Sequence, residues 1–171
     1  IPYQVLFYIL ILFVIIQRIT ELSVSKRNEK WLLSQGAVEY GKEHYKFIVI
    51  MHAMFFVSMI AEYNIKSVHN DLNIINYLFL VFFIILQAGR VSVIRTLGKY
   101  WNTRIYRING SKLVRTGLYK YFKHPNYIIV SLEILSFPLI FNLYYTAIIF
   151  TVWNAIILAV RIKAENIALK N

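Results

Sequence analysis

Residues 89–126 read GRVSVIRTLGKYWNTRIYRINGSKLVRTGLYKYFKHPN, and the reading of this stretch decides the fold. It holds nine Lys/Arg and no Asp or Glu, and two apolar runs bracket it, Ile74 to Leu86 and Tyr127 to Phe141. A basic segment this long, set between greasy ones, belongs at one face of a bilayer.

Working outward, three more apolar runs appear: Val5 to Ile16, Phe47 to Ala61 and Leu143 to Val160. Crossing a hydrocarbon core takes about 20 apolar residues, so flanking Gln17, Arg18, Lys46 and Gln87 are expected to snorkel. Charge tests this independently. The segment 17–46 carries six basic residues, the long loop nine and the tail from Arg161 three, which leaves Lys66 as the one exception among 19. If all five runs cross, 18 cations lie on a single side. That is the positive-inside pattern, with the N-terminus outside and the C-terminus in the cytoplasm.

The expected fold is an all-α integral membrane protein. One domain, 1–171, is expected to have spans near 3–19, 47–62, 72–88, 126–141 and 143–161. The last two form a helical hairpin, and 89–126 is a cytoplasmic loop. Composition agrees, at 58% hydrophobic and 16% charged residues with a net charge of +11. Too little polar surface remains for a soluble nucleic-acid binder, and 12 Phe with 13 Tyr exclude disorder. Without cysteine there is no disulfide, thiolate metal site or Cys nucleophile. No basic n-region precedes the first run, so a span is expected there rather than a cleaved signal.

Within the loop, Gly98, Gly110 and Gly117 divide the chain into short pieces, and Asn109-Gly110 is a turn signal. Thr103 to Ile108 and Lys112 to Arg115 are expected as a small hairpin around it. Pro125 pushes His124 out of helical geometry and suits the first turn of the next helix. Arg161 and Glu165 share a helical face by i,i+4 spacing, as a helix-end ion pair or as a site. Glu133 lies inside a span, where an ionisable group is expensive, so it either lines a tunnel or ties helices together. His52 is a packed histidine or an acceptor contact; Glu39, His44 and Tyr45 are solvated loop residues or part of an acceptor mouth. Ser25 to Lys30 suits an amphipathic surface segment, and Glu62 belongs to the outer interface. No His/Cys/Asp/Glu set has metal spacing.

Three motifs occur in order: L-G-x-x-W-x-T-R-I from Leu97, L-V-x-x-G-x-Y-x-x-x-K-H-P-N-Y from Leu113, and R-I-x-x-E from Arg161. Together they resemble the isoprenylcysteine carboxyl methyltransferase family, over about Leu97 to Leu169. S-x-R-N-E-x-W-L from Ser25 and G-A-x-E-x-G-x-x-H-Y from Gly36 resemble its small bacterial members. The resemblance implies S-adenosyl-L-methionine as cofactor, contacted by Ser111, Lys112, Leu113, Val114, Tyr119, His124, Pro125, Asn126, Tyr127 and Glu165. It also implies that Arg161 faces the acceptor. Lys123 stands where an Arg often precedes the His-Pro, Asn166 replaces a second acid, and Ser111 stands where eukaryotic members have His.

The expected function is therefore methyl transfer to a lipophilic or lipidated acceptor drawn from the bilayer of a bacterial cytoplasmic membrane. Membrane lipids are the other expected partner, and nucleic acid is not one. Arg161 and Glu133 are the candidate catalytic residues, and Arg161, Glu133 and His52 the candidate acceptor contacts. A guanidinium holds an anionic oxygen bidentately, which favours a carboxylate or a phenolic or pyrone hydroxyl. Phospholipid N-methylation is the enzymatic alternative. A small transporter or channel using Glu133 and His52, or a non-enzymatic lipid-binding protein, is the other class; no internal repeat supports a transporter.

Overall fold

The computed structural model describes residues 2–66 and 71–171. The first helix, α1 (Tyr3–Ser34), is 32 residues long, about 48 Å at 1.5 Å per residue. It outruns the apolar stretch because nothing stops it: no Gly or Pro occurs between Tyr3 and Ser34, and Gly36 follows its end. One face is buried along its whole length, Phe7, Ile11 and Val14 giving way to Glu21, Ser25, Asn28 and Leu32. The segment Ser25 to Lys30, expected as an amphipathic surface segment, is the lower part of α1, with Ser25 and Asn28 buried and Lys26, Arg27 and Lys30 exposed.

After α1 come a short strand β1 (Val38–Tyr40) and the helices α2 (Lys42–Ile65) and α3 (Ile74–Leu97). A second strand, β2 (Ile105–Arg107), precedes α4 (Pro125–Ile140) and α5 (Tyr144–Ala168). Gly41 takes a left-handed φ of 63° to turn β1 into α2. Asn73 caps α3 by accepting from the Ile75 and Asn76 amides, while its own amide donates to Asn76 Oδ1. α4 packs between α3 and α5, and α2 packs on α5.

Four helices, α1, α2, α3 and α5, are long and apolar enough to cross a membrane. α4, expected near 126–141, has 16 residues, shorter than the other four helices, and most of them are buried against protein. Its ends nevertheless lie at opposite ends of the bundle. The turn after α4 meets the start of α1, where Tyr3 donates to the Phe141 carbonyl at 2.9 Å. At the other end, His124 meets the end of α5 through Asn166. The α4–α5 hairpin turns at Asn142, whose φ is 56°; Asn76 Nδ2 donates to its side chain and to the Leu139 carbonyl.

The large core lies toward this turn. Phe7, Met51, Phe55, Met59, Phe137, Ile140, Phe141 and Leu143 are buried there, and Phe7 stacks on Tyr63 with ring centroids 3.8 Å apart. Glu62 is more than an interface residue: its carboxylate accepts the Tyr145 and Thr146 amides and so caps α5.

The expected hairpin within the basic loop is replaced by a different pairing. β2 runs antiparallel to β1, with Glu39 opposite Tyr106, and residues 112–115 form no strand. Asn109-Gly110 still turns, but the returning chain does not pair back; the Gly110 amide donates to the Asn171 carbonyl. The loop is therefore fastened to the segment after α1 and to the C-terminal tail.

Candidate functional site

Three helix ends and the basic loop converge at the end of the bundle remote from the aromatic core. The lower part of α1 anchors the loop. Asn28 Nδ2 donates to the Gly98 and Trp101 carbonyls at 3.0 and 2.7 Å. Ser25 Oγ accepts the Thr103 amide, and Asn102 Nδ2 donates to the Ser25 carbonyl. Arg104 pairs with Glu39 at 3.0 Å and lies over the Tyr45 ring, while Tyr106 donates to Glu29 at 2.6 Å. Burial, the hydrogen bond to Glu29 and the Glu39 charge together push the Tyr106 phenol up. The ribbon and these bonds hold residues 101–107 across the helix ends.

Beneath that strap lies a cavity of about 380 Å³, within the size range of small-molecule sites. At one end it is lined by Tyr119, His124, Asn126, Tyr127, Arg161 and Glu165, and at the other by Arg18, Glu21, His52 and Arg90. Leu22, Val49, Ala53 and Phe56 supply apolar wall between α1 and α2.

At the first end, Pro125 is the first residue of α4, so His124 sits at the helix start with its backbone outside helical geometry. Its Nε2 donates to Asn166 Oδ1 at 3.1 Å, and its Nδ1 lies 3.4 Å from Glu165 Oε2. Bonding to Glu165 above all, and that carboxylate's charge, hold the imidazole above the usual histidine range despite burial. The ring stacks on Tyr127. Burial, then the Glu165 charge, push the Tyr119 phenol up, so it stays a neutral hydroxyl. Among the described residues, the buried side-chain atoms of cavity-lining residues that lack a hydrogen-bond partner include Asn126 Oδ1, Trp101 Nε1 and Arg18 Nε.

Arg161 and Glu165 share a face but form no ion pair with each other. Arg161 is 6% exposed, and its Nη2 donates to the Thr103 carbonyl at 2.6 Å. Among the described residues no carboxylate pairs with it. Tyr127 feels both Arg161 and Glu165, and Tyr45 lies beneath the guanidinium at 6.0 Å.

The other end holds a buried ion cluster. Arg90 of α3 donates to both oxygens of Glu21 at 2.5 and 2.8 Å and to Glu133 Oε2 at 2.8 Å. Arg18 bridges Glu21 and Glu133 at 3.0 and 2.8 Å, and Gln87 donates to Glu133 Oε1 at 2.9 Å. Two cations and two anions thereby neutralise one another where isolated charge is costly.

This arrangement gathers some expected residues and disperses others. Tyr119, His124, Asn126, Tyr127, Glu165, Arg161 and His52 share the cavity. Glu133 is not among the residues lining it; it accepts from Arg18, Arg90 and Gln87 and so ties α1, α3 and α4 together. Ser111, Lys112, Leu113, Val114 and Pro125 are also absent from the wall. Arg107 captures Ser111 through both its hydroxyl and its carbonyl, which turns that segment aside. Tyr45 reaches the wall and donates to or accepts from Thr103 Oγ1, whereas Glu39 is spent on Arg104. Glu21 and Arg90 were not foreseen from the sequence, and Arg18, expected to snorkel, instead joins the ion cluster. Glu21 continues the buried stripe of Phe7, Ile11 and Val14 at helical spacing, and that spacing was the available signal.

Residues 78–171 match the isoprenylcysteine carboxyl methyltransferase (ICMT) family. An uncharacterised protein of Bacillus subtilis strain 168, YpbQ, is 40% identical over 165 residues, 96% of this chain and 97% of that one. An uncharacterised protein of Haemophilus influenzae is 34% identical over 156 residues, 90% of this chain and 89% of its own. No solved structure matches the chain. With a match over more than half its length and a full-length likeness to YpbQ, the chain belongs to the isoprenylcysteine carboxyl methyltransferase family.

Proposed function

We propose that this protein is a multi-pass membrane methyltransferase that uses S-adenosyl-L-methionine to O-methylate an anionic or acidic oxygen of a lipophilic acceptor. Family membership implies the membrane methyltransferase; the cofactor and the acceptor are our reading. Arg161 is the observation that carries the acceptor. A guanidinium this buried, without a carboxylate partner, calls for an anion from outside the chain. A phospholipid ammonium would add a second cation beside it, which disfavours N-methylation. A channel is disfavoured by the aromatic core that fills the bundle beyond the cavity.

The cavity's chemistry fits the proposed cofactor. When bound, S-adenosyl-L-methionine supplies a methyl group on a positively charged sulfur. Glu165 and the unpartnered Asn126 Oδ1 are acceptors suited to its ammonium, and Trp101 Nε1 is a free donor for its carboxylate or base. The Tyr119 and Tyr127 rings favour a cation beside their faces. Arg161 then has one task, to orient the acceptor oxygen and keep it ionised.

All five helices traverse the bundle between the same two ends, which supports five crossings with the site at the cytoplasmic face. The positive-inside asymmetry supports the N-terminus outside, and the bacterial relatives support a bacterial cytoplasmic membrane. The apolar wall between α1 and α2 faces the lipid from which an acceptor would come.

Calorimetry in detergent tests the reading. Wild type binds S-adenosyl-L-methionine and Glu165→Ala binds it at least tenfold more weakly; a wild type that gives no heat at high micromolar cofactor overturns the proposal. Radiolabelled methyl transfer into a native lipid extract then classifies the product, base-labile label marking an ester and stable label an ether or amine.

A further inference from the structure

The far end of the cavity holds groups that cofactor binding leaves unused. His52 lies on α2 and lines the cavity. Its Nδ1 sits 2.9 Å from the Ile48 carbonyl, and a carbonyl only accepts, so Nδ1 carries the hydrogen of that bond. In the neutral ring this tautomer leaves the lone pair on Nε2, the distal nitrogen. No hydrogen bond from the described residues reaches Nε2. The charged groups acting on the ring are Arg18 from α1, Glu133 from α4 and Arg161 from α5.

Arg18 is the second unused group. Its Nη1 and Nη2 are committed to Glu21 and Glu133, but Nε is buried and has no partner. The ion cluster thus fixes the guanidinium plane while leaving one donor free beside the cavity. Arg161 of α5 lines the same cavity and its charge also acts on the ring. A lone-pair nitrogen sharing a cavity with two guanidiniums is an arrangement that a preformed carboxylate does not need, since Arg161 alone would hold it.

We infer that His52, in the cavity it shares with Arg18 and Arg161, is the proton acceptor for a weakly acidic hydroxyl on the acceptor. This deepens the reading above and rests on it for the reaction that follows ionisation. The acceptor O–H bond breaks heterolytically and its electron pair stays on oxygen. The proton forms a bond to His52 Nε2, giving an imidazolium whose Nδ1–H still donates to the Ile48 carbonyl. The oxyanion is left to Arg161 and to the free Nε–H of Arg18. Glu133 lies outside the cavity lining and its oxygens accept from Arg18, Arg90 and Gln87; it positions Arg18.

The test uses the purified full chain in detergent without cofactor and two probes of equal chain length, a long-chain alkyl 4-nitrophenol and a fatty acid. The phenolate colour of bound nitrophenol reports ionisation, and titration in buffers of different ionisation enthalpy counts protons released. Wild type is expected to ionise bound nitrophenol about 1–3 pH units below the free probe, with little proton release because Nε2 keeps the proton. His52→Gln, which still can donate to Ile48, should lose on the order of tenfold in phenolate formation, one pKa unit, or release the proton to buffer. It should bind the fatty acid as wild type does.

Full proton release by wild type, or unchanged ionisation in His52→Gln, overturns the inference. So does a wild type that binds neither probe. Because cofactor calorimetry is a separate measurement, each of these failures leaves the methyltransferase reading standing or falling on its own. Should His52→Gln fail to fold, the proton count on wild type alone decides.

Discussion

The upper and lower halves of α1 bury the same face against the same bundle with opposite chemistry. Phe7, Ile11 and Val14 in the upper half pack into an aromatic core. Glu21, Ser25 and Asn28 in the lower half meet two arginines and the backbone of the basic loop. The upper half gains from area removed from contact with water before insertion and from close packing within the bundle. The lower half gains only where every polar atom has a partner, and the partners come from elements distant in sequence. Stability and ligand chemistry are therefore divided along one helix, and variants in the two halves should fail differently.

The largest stability effect is expected from Phe7→Ala in the upper half. Phe7 is fully buried, stacked on Tyr63 and edge-on to Phe141, and such truncations cost about 3–5 kcal/mol. Unfolding in mixed micelles should record that loss, while cofactor affinity per folded molecule stays within twofold of wild type. A selective loss of affinity would break the division. Arg161→Ala should do the reverse. Its removal should lower methyl transfer about 10²–10³-fold, as for other donors that hold a developing or fixed oxyanion, with a smaller loss of cofactor affinity than Glu165→Ala shows. The opposite ranking would exchange the roles of the two residues.

How much of this was legible follows the same division. The apolar runs and the one-sided charge point to the bundle because hydrophobic length and cation placement are local properties of the chain. The start of α4 at Pro125 was legible for the same reason, since a proline's effect on its neighbours is steric and local. The burial of α4 was not, because apolar residues facing lipid and apolar residues facing protein read alike. The β1–β2 ribbon was missed because Asn109-Gly110 offered a nearer partner, and pairing across 65 residues has no local signature. Glu133 was visible as an ionisable group in a span, but its three partners lie on α1 and α3, so its neutralisation emerges only in the fold. At the site, the motif order brought His124, Asn126, Tyr127, Arg161 and Glu165 into view, yet Ser111 to Val114 turn away through a local contact with Arg107.

Asn28→Ala sharpens the boundary between the halves. One amide group holds the Gly98 and Trp101 carbonyls. The Gly98 carbonyl keeps the Trp101 amide, but the Trp101 carbonyl loses its partner, and leaving a buried acceptor unpaired costs about 1–3 kcal/mol. Because those carbonyls begin the strap, the loss should appear as faster hydrogen exchange at residues 101–107 before any change in the aromatic core. Uniform acceleration through α2 and α5 would mean that the loop and the bundle unfold as one unit.

The smallest effect should come from pH, and its sign is fixed by His124. Bonding to Glu165, with that carboxylate's charge, raises the folded pKa above the unfolded value, which is about 6.5. The folded state therefore binds the proton more tightly than the unfolded chain. Its contribution to stability is fully present below about pH 6.5 and is lost as pH rises through the raised folded value. In detergent, the unfolding midpoint of wild type should fall across that window relative to His124→Gln, whose profile lacks this titration. Glu165→Gln should flatten the profile too, since the raising charge is gone while the imidazole remains. If the Glu165→Gln profile keeps the wild-type slope, Asn166 rather than Glu165 holds the proton on His124, and the carboxylate is free to serve the ligand alone.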